Sequence, residues 1–248
     1  MSHKAFKIEY FDCIDSTNTE LKRRALAGAP SLTVLVADEQ TAGRGRMGRS
    51  FFSPRGSGLY MSILLRPVSL TDVGILTTMT AVSVARALSR LGLETGIKWV
   101  NDVIADGKKL CGILTEGGTY EGEPFAIIGI GINIKKTAFP EEITHIATSI
   151  EQILNTVPHK NDIINNILDE IYHLANLDEA WQKEAMDEYR RRSVVLGKAI
   201  RVHPFHGDPF DAEAVAIEDD GTLTVRPLDP QNSSLLHLSS AEVSIRCN

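Results

Sequence analysis

Between residues 37 and 62 the chain gathers five glycines (Gly43, Gly45, Gly48, Gly56, Gly58) and four arginines (Arg44, Arg46, Arg49, Arg55). Guanidinium groups bring fixed charge in a forked donor geometry, and glycine lets bare backbone N–H groups approach a ligand. A long loop of this kind between apolar, strand-like runs suits a clamp for something anionic. A second polar set is Lys98-Trp99-Val100-Asn101-Asp102 together with Lys109. Asp106-Gly107 between them is a strong signal for a two-residue hairpin turn. Closing that turn carries Asn101 and Asp102 to the strand that holds Lys109, so a carboxylate, a carboxamide and an ammonium group share one end of a sheet. A third set, Ser16-Thr17-Asn18, stands where a helix should begin and offers donors and acceptors to a neutral polar ligand. Each set also has a structural reading: an exposed basic linker, a lysine guarding a sheet edge, and a capping box formed by Thr17 with Glu20.

Other motif readings fail on context. Residues 43–50 spell G-x-x-x-x-G-R-S, one residue away from the phosphate-binding G-x-x-x-x-G-K-[ST]. That motif needs a helix at its end, and here Phe51-Phe52-Ser53-Pro54, then Gly56 and Gly58, break helices. The G-x-G of residues 129–131 lacks the third glycine and the following helix of a dinucleotide fold, so its glycines point to close approach by a ligand or another backbone. His203 and His206 have no further Cys or His at metal-ligand spacing and read as surface histidines; no protein metal site is expected.

The elements that must position these groups follow from periodicity. Residues 6–11, 32–37, 59–65, 95–100, 108–116 and 125–134 read as strands, with Pro67 stopping the third. A packing helix is predicted over residues 72–91, closed by Gly92. Residues 140–192 turn helical, with Ile163, Ile164, Ile167, Leu168, Ile171 and Leu174 on one amphipathic helix and residues 180–192 on a second, highly charged one. Short strands at 198–202, 210–218, 223–227 and 241–246 suggest a small barrel, hence a boundary near Ser193 between units 1–192 and 193–248.

At 248 residues, 43% hydrophobic and 23% charged, the composition is that of an ordinary globular protein, and the net charge of −6 argues against a dedicated nucleic-acid binder. No apolar run approaches the roughly 20 residues of a membrane span. The N-terminus lacks a signal peptide's apolar core, and three cysteines (Cys13, Cys111, Cys247) are few and unpaired by spacing. The expectation is a cytoplasmic protein without membrane or nucleic-acid partners.

Taken together, four stretches resemble the bacterial biotin protein ligases, or biotin–[acetyl-CoA carboxylase] ligases. They are S-T-N at 16–18, Q-T-A-G-R-G-R-M-G-R at 40–49, K-W-V-N-D at 98–102 and K-L-C-G-I-L-T-E at 109–116; I-G-I-G-I-N-I at 128–134 and the C-terminal barrel complete the likeness. The resemblance implies an α+β fold: a mixed, mainly antiparallel central sheet flanked by helices, of the class II aminoacyl-tRNA synthetase-like type, with a small SH3-like β-barrel. It implies ATP and biotin as substrates with Mg²⁺, formation of biotinyl-5′-AMP, and transfer to a lysine of a biotin carboxyl carrier protein.

By the family's pattern, Ser16, Thr17, Asn18 and Gln40 bind the biotin head. Arg44, Gly45, Arg46, Lys109 and Gly112 line the biotin and acyl-phosphate path, with Lys109 and Arg46 in the catalytic role. The nucleotide falls to Arg46, Arg49, Phe51, Lys98, Asn101, Asp102, Lys109 and Asn133. Val100, Phe51 and Met47 depart from common family residues. The few residues before Phe6 leave no room for a helix-turn-helix, so no operator binding is expected; a homodimer formed by adding sheet edges is compatible with the family. The rivals are a lipoate ligase of the same architecture and a noncatalytic binder of biotin or an adenylate.

Overall fold

The computed structural model describes residues 2–66, 68, 73–137, 139–176, 178–229 and 234–246. Pro67, Asp72 and Cys247 lie outside the described residues. Strand β1 (Lys7–Phe11) leads through helix α1 (Thr17–Ala25) to β2 (Thr33–Ala37), which runs parallel to it. The crossover helix is what a parallel pair requires. Every residue of β2 and of β3 (Gly58–Leu65) is buried, which explains their unbroken apolar character. Helix α2 (Val73–Ser89) follows, then β4 (Gly96–Lys98), β5 (Asp102–Ala105), β6 (Lys108–Tyr120) and β7 (Glu123–Asn133). The seven strands form one sheet in the order β1-β2-β3-β7-β6-β5-β4, antiparallel except for β1–β2.

Asp106 (φ 50°) and Gly107 (φ 71°) make the predicted two-residue turn. A second such turn, Glu121 (φ 50°) with Gly122 (φ 84°), joins β6 to β7. Strand β6 runs past Glu116, the end expected from the sequence, through Gly117-Gly118, which are poor strand formers. Gly118 is there for room: a Cβ would stand 2.4 Å from the Phe125 ring. The strand predicted over 95–100 is also shorter, because the chain reverses at a cis Trp99–Val100 peptide and pairs Lys98 with Asp102.

The cap of α1 is one residue earlier than the capping box placed it. Ser16 Oγ accepts from Thr19 N (3.4 Å), and Thr17 is already helical and buried. After two short helices, α3 (Glu141–Thr144) and α4 (Ile150–Leu154), come α5 (Lys160–Ala175) and α6 (Glu179–Arg192). Ile163, Ile164, Ile167, Leu168, Ile171 and Leu174 of α5 are all buried, as their spacing predicts. Helices α2, α5 and α6 cover one face of the sheet, while α1 packs on the other through Leu21 and Ala25 against Leu35, Leu64, Phe125 and Ile127.

The C-terminal strands β8 (Ala199–His203), β9 (Phe210–Ile217), β10 (Leu223–Pro227), β11 (Leu236–Leu238) and β12 (Glu242–Ile245) form an antiparallel sheet ordered β11-β10-β9-β8-β12. The sequence reading lacked β11. Apolar packing runs unbroken from the large sheet to Ile200, Val202, Leu223 and Val225. The junction is also polar: Trp99 Nε1 donates to Gly221 O (2.9 Å), and Tyr189 OH donates to Val100 O (3.1 Å), both buried. These bonds hold the β4–β5 turn between α6 and the small sheet. Trp99→Phe keeps most of the apolar contact but strands the Gly221 carbonyl. It should lower the unfolding free energy by about 1–3 kcal/mol, and an unchanged urea midpoint would contradict the anchoring role.

Candidate active site

Alternation along a strand sends every second residue to one face, and on this part of the sheet Gly112, Gly129 and Gly131 stand there beside Leu114. Gly112 pairs with Gly131 and Leu114 with Gly129, which leaves a floor of bare backbone. A Cβ at Gly129 would lie 2.2 Å from Asn18 Oδ1, one at Gly131 2.5 Å from the Phe51 ring, and one at Gly112 3.0 Å from Lys109 Cε. Close approach in the central strands is therefore made by side chains. Cys111, one residue from Gly112, is fully buried, and burial pushes its thiol well above the ordinary range, so it offers no nucleophile.

Above this floor is a cavity lined by both polar and apolar residues. Its polar end is built at the start of α1. Gln40 Oε1 accepts from Thr17 N (2.9 Å) and Oγ1 (3.1 Å), while Ser62 Oγ donates to Asn18 Oδ1 (2.6 Å). Asn18 Nδ2 donates to Leu114 O (3.2 Å) and Glu116 Oε2 (3.0 Å). The arginine-glycine loop forms the roof and has a defined course: Gly45 N donates to Arg49 O (2.7 Å) and Phe51 N to Gly43 O (2.9 Å), around a 3₁₀ turn at Arg46–Gly48. No helix starts at Ser50, in keeping with the rejected phosphate-loop reading.

A second cavity adjoins the first, and the two share Gly45, Arg46, Phe51, Asn101 and Lys109. At this junction Lys109 Nζ lies 2.7 Å from Asp102 Oδ1. The contact is a close, partly buried charge pair. Arg46 donates to Asn101 Oδ1 (3.2 Å) and Ser240 Oγ (2.8 Å), and burial pulls its guanidinium below the usual arginine range against the nearby charges of Asp102 and Glu242. It stays cationic all the same. Arg49 pairs with Glu242 (2.7 Å), and Ala241, Glu242 and Val243 of the C-terminal sheet close the second cavity. Two cations thus meet where the cavities join, and they can stabilise negative charge developing between a carboxylate on one side and a phosphate on the other.

Ser16, Thr17, Asn18, Gln40, Arg44 and Gly112 line the first cavity. Arg49, Lys98 and Asp102 line the second. Asn133 lines neither, and its amide donates to Thr148 O (3.0 Å). The sequence reading did not single out Glu116, which ties Asn18 to Arg44 (3.1 Å), although it quoted the motif that ends there. Ser240 and Glu242 had no local signal, since they reach the loop across about 190 residues.

Residues 10–133 match the model of the biotin/lipoate A/B protein ligase family. The chain is 34% identical to the bifunctional ligase/repressor BirA of Bacillus subtilis, over 95% of its own length and 73% of that protein. It is 35% identical to a biotin–[acetyl-CoA-carboxylase] ligase of Mycobacterium tuberculosis, over 84% of its length and 79% of the relative. Its fold is similar to the biotin protein ligase from Aquifex aeolicus in complex with biotin and ATP, with a TM-score of 0.79 and 27% identity, covering 98% of this chain and 99% of that one.

Gly129→Ala should lower the unfolding free energy by about 1–3 kcal/mol through overpacking against Asn18. Adding Asn18→Ala should recover part of that loss in urea melts. Strictly additive effects of the two substitutions would show that the predicted collision does not occur.

Proposed function

The chain belongs to the biotin/lipoate A/B protein ligase family, and we infer that it is an ATP-dependent biotin protein ligase. It activates biotin as biotinyl-5′-AMP and transfers the biotinyl group to a lysine of a biotin carboxyl carrier protein. The observation that carries this reading is the pair of cations, Lys109 and Arg46, at the junction of a polar-ended cavity and a second, cation-rich one.

A ureido ring needs both donors and acceptors, and the Ser16, Thr17, Asn18 and Gln40 end of the first cavity would meet it with both. Biotin's carboxylate would then lie toward Lys109 and Arg46. Attack of its oxygen on the α-phosphorus of ATP forms the acyl phosphate and breaks the P–O bond to pyrophosphate. Charge builds on the nonbridging oxygens, where Arg46, Lys109 and the loop N–H groups would oppose it without reorganising. Lys98 and Arg49 would face the nucleotide's phosphates, and the Phe51 ring would pack beside it. Enclosure by loop and sheet would exclude water from an acyl adenylate that hydrolyses readily.

Mg²⁺ fits this site as a companion of the phosphates. Among the described residues no three metal-ligating side chains cluster, while the Asp102 carboxylate, held 2.7 Å from Lys109, would supply one oxygen. When bound, the ion would neutralise phosphate charge. A homodimer would add strands at β1, an edge of the large sheet.

Pyrophosphate exchange with biotin and ATP tests the activity. Exchange driven by lipoate but not by biotin would favour the lipoate rival and reject this one. Lys109→Ala should slow adenylate formation about 10²–10³-fold, measured in a single turnover. Formation at the parent rate would remove Lys109 from the chemistry.

A further inference from the structure

A groove meets the first cavity at Arg46, Ile113 and Leu114. It passes Thr77 of α2 and opens between Met47 on the arginine-glycine loop and Phe205, with Ser239, on the C-terminal sheet's loops. Met47 and Phe205 are 44% and 51% exposed. We propose that this groove is the docking path of the acceptor: the carrier protein's lysine arm lies in it, and Met47 and Phe205 press on the carrier's surface around that lysine.

The proposal rests on the biotin ligase reading and extends it to the second half-reaction. Continuity is the first argument. The acyl carbon of biotinyl-5′-AMP would lie beside Arg46, and the groove is an open approach that ends at that residue. The second cavity also touches Arg46 and carries Lys98, Arg49 and Lys109, cations that suit phosphates.

Chemistry is the second argument. The groove is walled by apolar side chains and hydroxyls, including Ser239, Ser240 and Thr115, and no described lining residue carries a carboxylate. Four methylenes of a lysine arm suit such walls. Arg46 at the inner end disfavours an ammonium and favours the neutral amine, which is the nucleophile. In the transfer, that amine attacks the carbonyl carbon, the C–N bond forms, and the acyl C–O bond to phosphate breaks. AMP leaves with the bonding electrons, and the amine's proton passes to solvent. The third argument is the mouth itself, since exposed aromatic anchors are the groups that most often dominate association.

The test uses the full chain with Phe205→Asp and, separately, Ser239→Trp, both at exposed positions outside the two cavities. Three rates are measured: pyrophosphate exchange with biotin and ATP, capture of the adenylate by hydroxylamine, and transfer to a purified apo carrier domain. The expected result is unchanged exchange and hydroxylamine capture, with KM for the carrier raised about tenfold or more. Hydroxylamine is a small nucleophile that needs no docking, so it separates lost docking from lost chemistry. Unchanged KM for the carrier in both variants would overturn the proposal. So would a raised KM for biotin in exchange, which would make the groove a biotin entrance. A shift in sedimentation with unchanged transfer would also overturn it, by assigning Phe205 to a second copy of the chain. If the parent protein shows no exchange, the ligase reading fails and the groove assignment fails with it.

Discussion

The site depends on one steric constraint: β6 and β7 carry glycine at three positions where they face the ligand cavity, Gly112, Gly129 and Gly131. Gly129 and Gly131 leave room that Asn18 and Phe51 occupy at distances a Cβ would not allow, and Gly112 leaves Lys109 a contact that a Cβ would make tight. The hairpin register sets Gly112 against Gly131, so the clearing is continuous across two strands. Asn18 reaches the floor from α1, Phe51 from the loop and Lys109 from the sheet itself. Three remote segments therefore converge only because the sheet between them is bare. Glycine in a strand weakens it, and the cost falls here on strands held from both sides by β3 and β5.

The four loop arginines are equivalent in the sequence and unlike in the structure. Arg44, Arg49 and Arg55 each pair with a carboxylate, at Glu116, Glu242 and Glu39. Arg46 donates to two neutral oxygens, those of Asn101 and Ser240, and no carboxylate of the described residues contacts it directly. The paired arginines fasten the loop to β6, to the C-terminal sheet and to the segment after β2. Arg46 is held as firmly, with the charges of Asp102 and Glu242 acting on it only from a distance. A half-buried cation whose direct partners are dipoles can turn its field to an arriving anion.

Much of this was legible in the chain. Two periodicities marked the strands and the long helices, Asp106-Gly107 marked its turn, and the chemistry-bearing residues stood in short motifs. The failures have physical causes. The cap of α1 belongs to Ser16 because Thr17 is taken by Gln40, a partner 23 residues away. The β6–β7 hairpin hid behind Gly117-Gly118, whose poor propensity is overridden by packing against Phe125. Glu242 sits in a predicted strand and Ser240 just before it, neither in a motif, and their part arises only when the small sheet docks on Trp99. Asn133 shows the reverse: a motif residue whose amide is used within the protein, on the Thr148 carbonyl.

The C-terminal sheet therefore acts as a wall of the active site as well as a neighbour. Its turn at Gly221 receives Trp99, and the same turn-bearing segment, residues 98–102, presents Asn101 and Asp102 to the cavities. Through Ser240 and Glu242 the sheet also holds the roof loop. A single rigid contact surface thus fixes both the roof and the rim of the site. A chain that must shelter a hydrolysable mixed anhydride gains from this, because the groups that close the site are positioned by packing already present before substrate arrives. Preorganisation of this kind leaves less ordering to be done at the moment of reaction, and it requires the small sheet to stay seated while the adenylate is held.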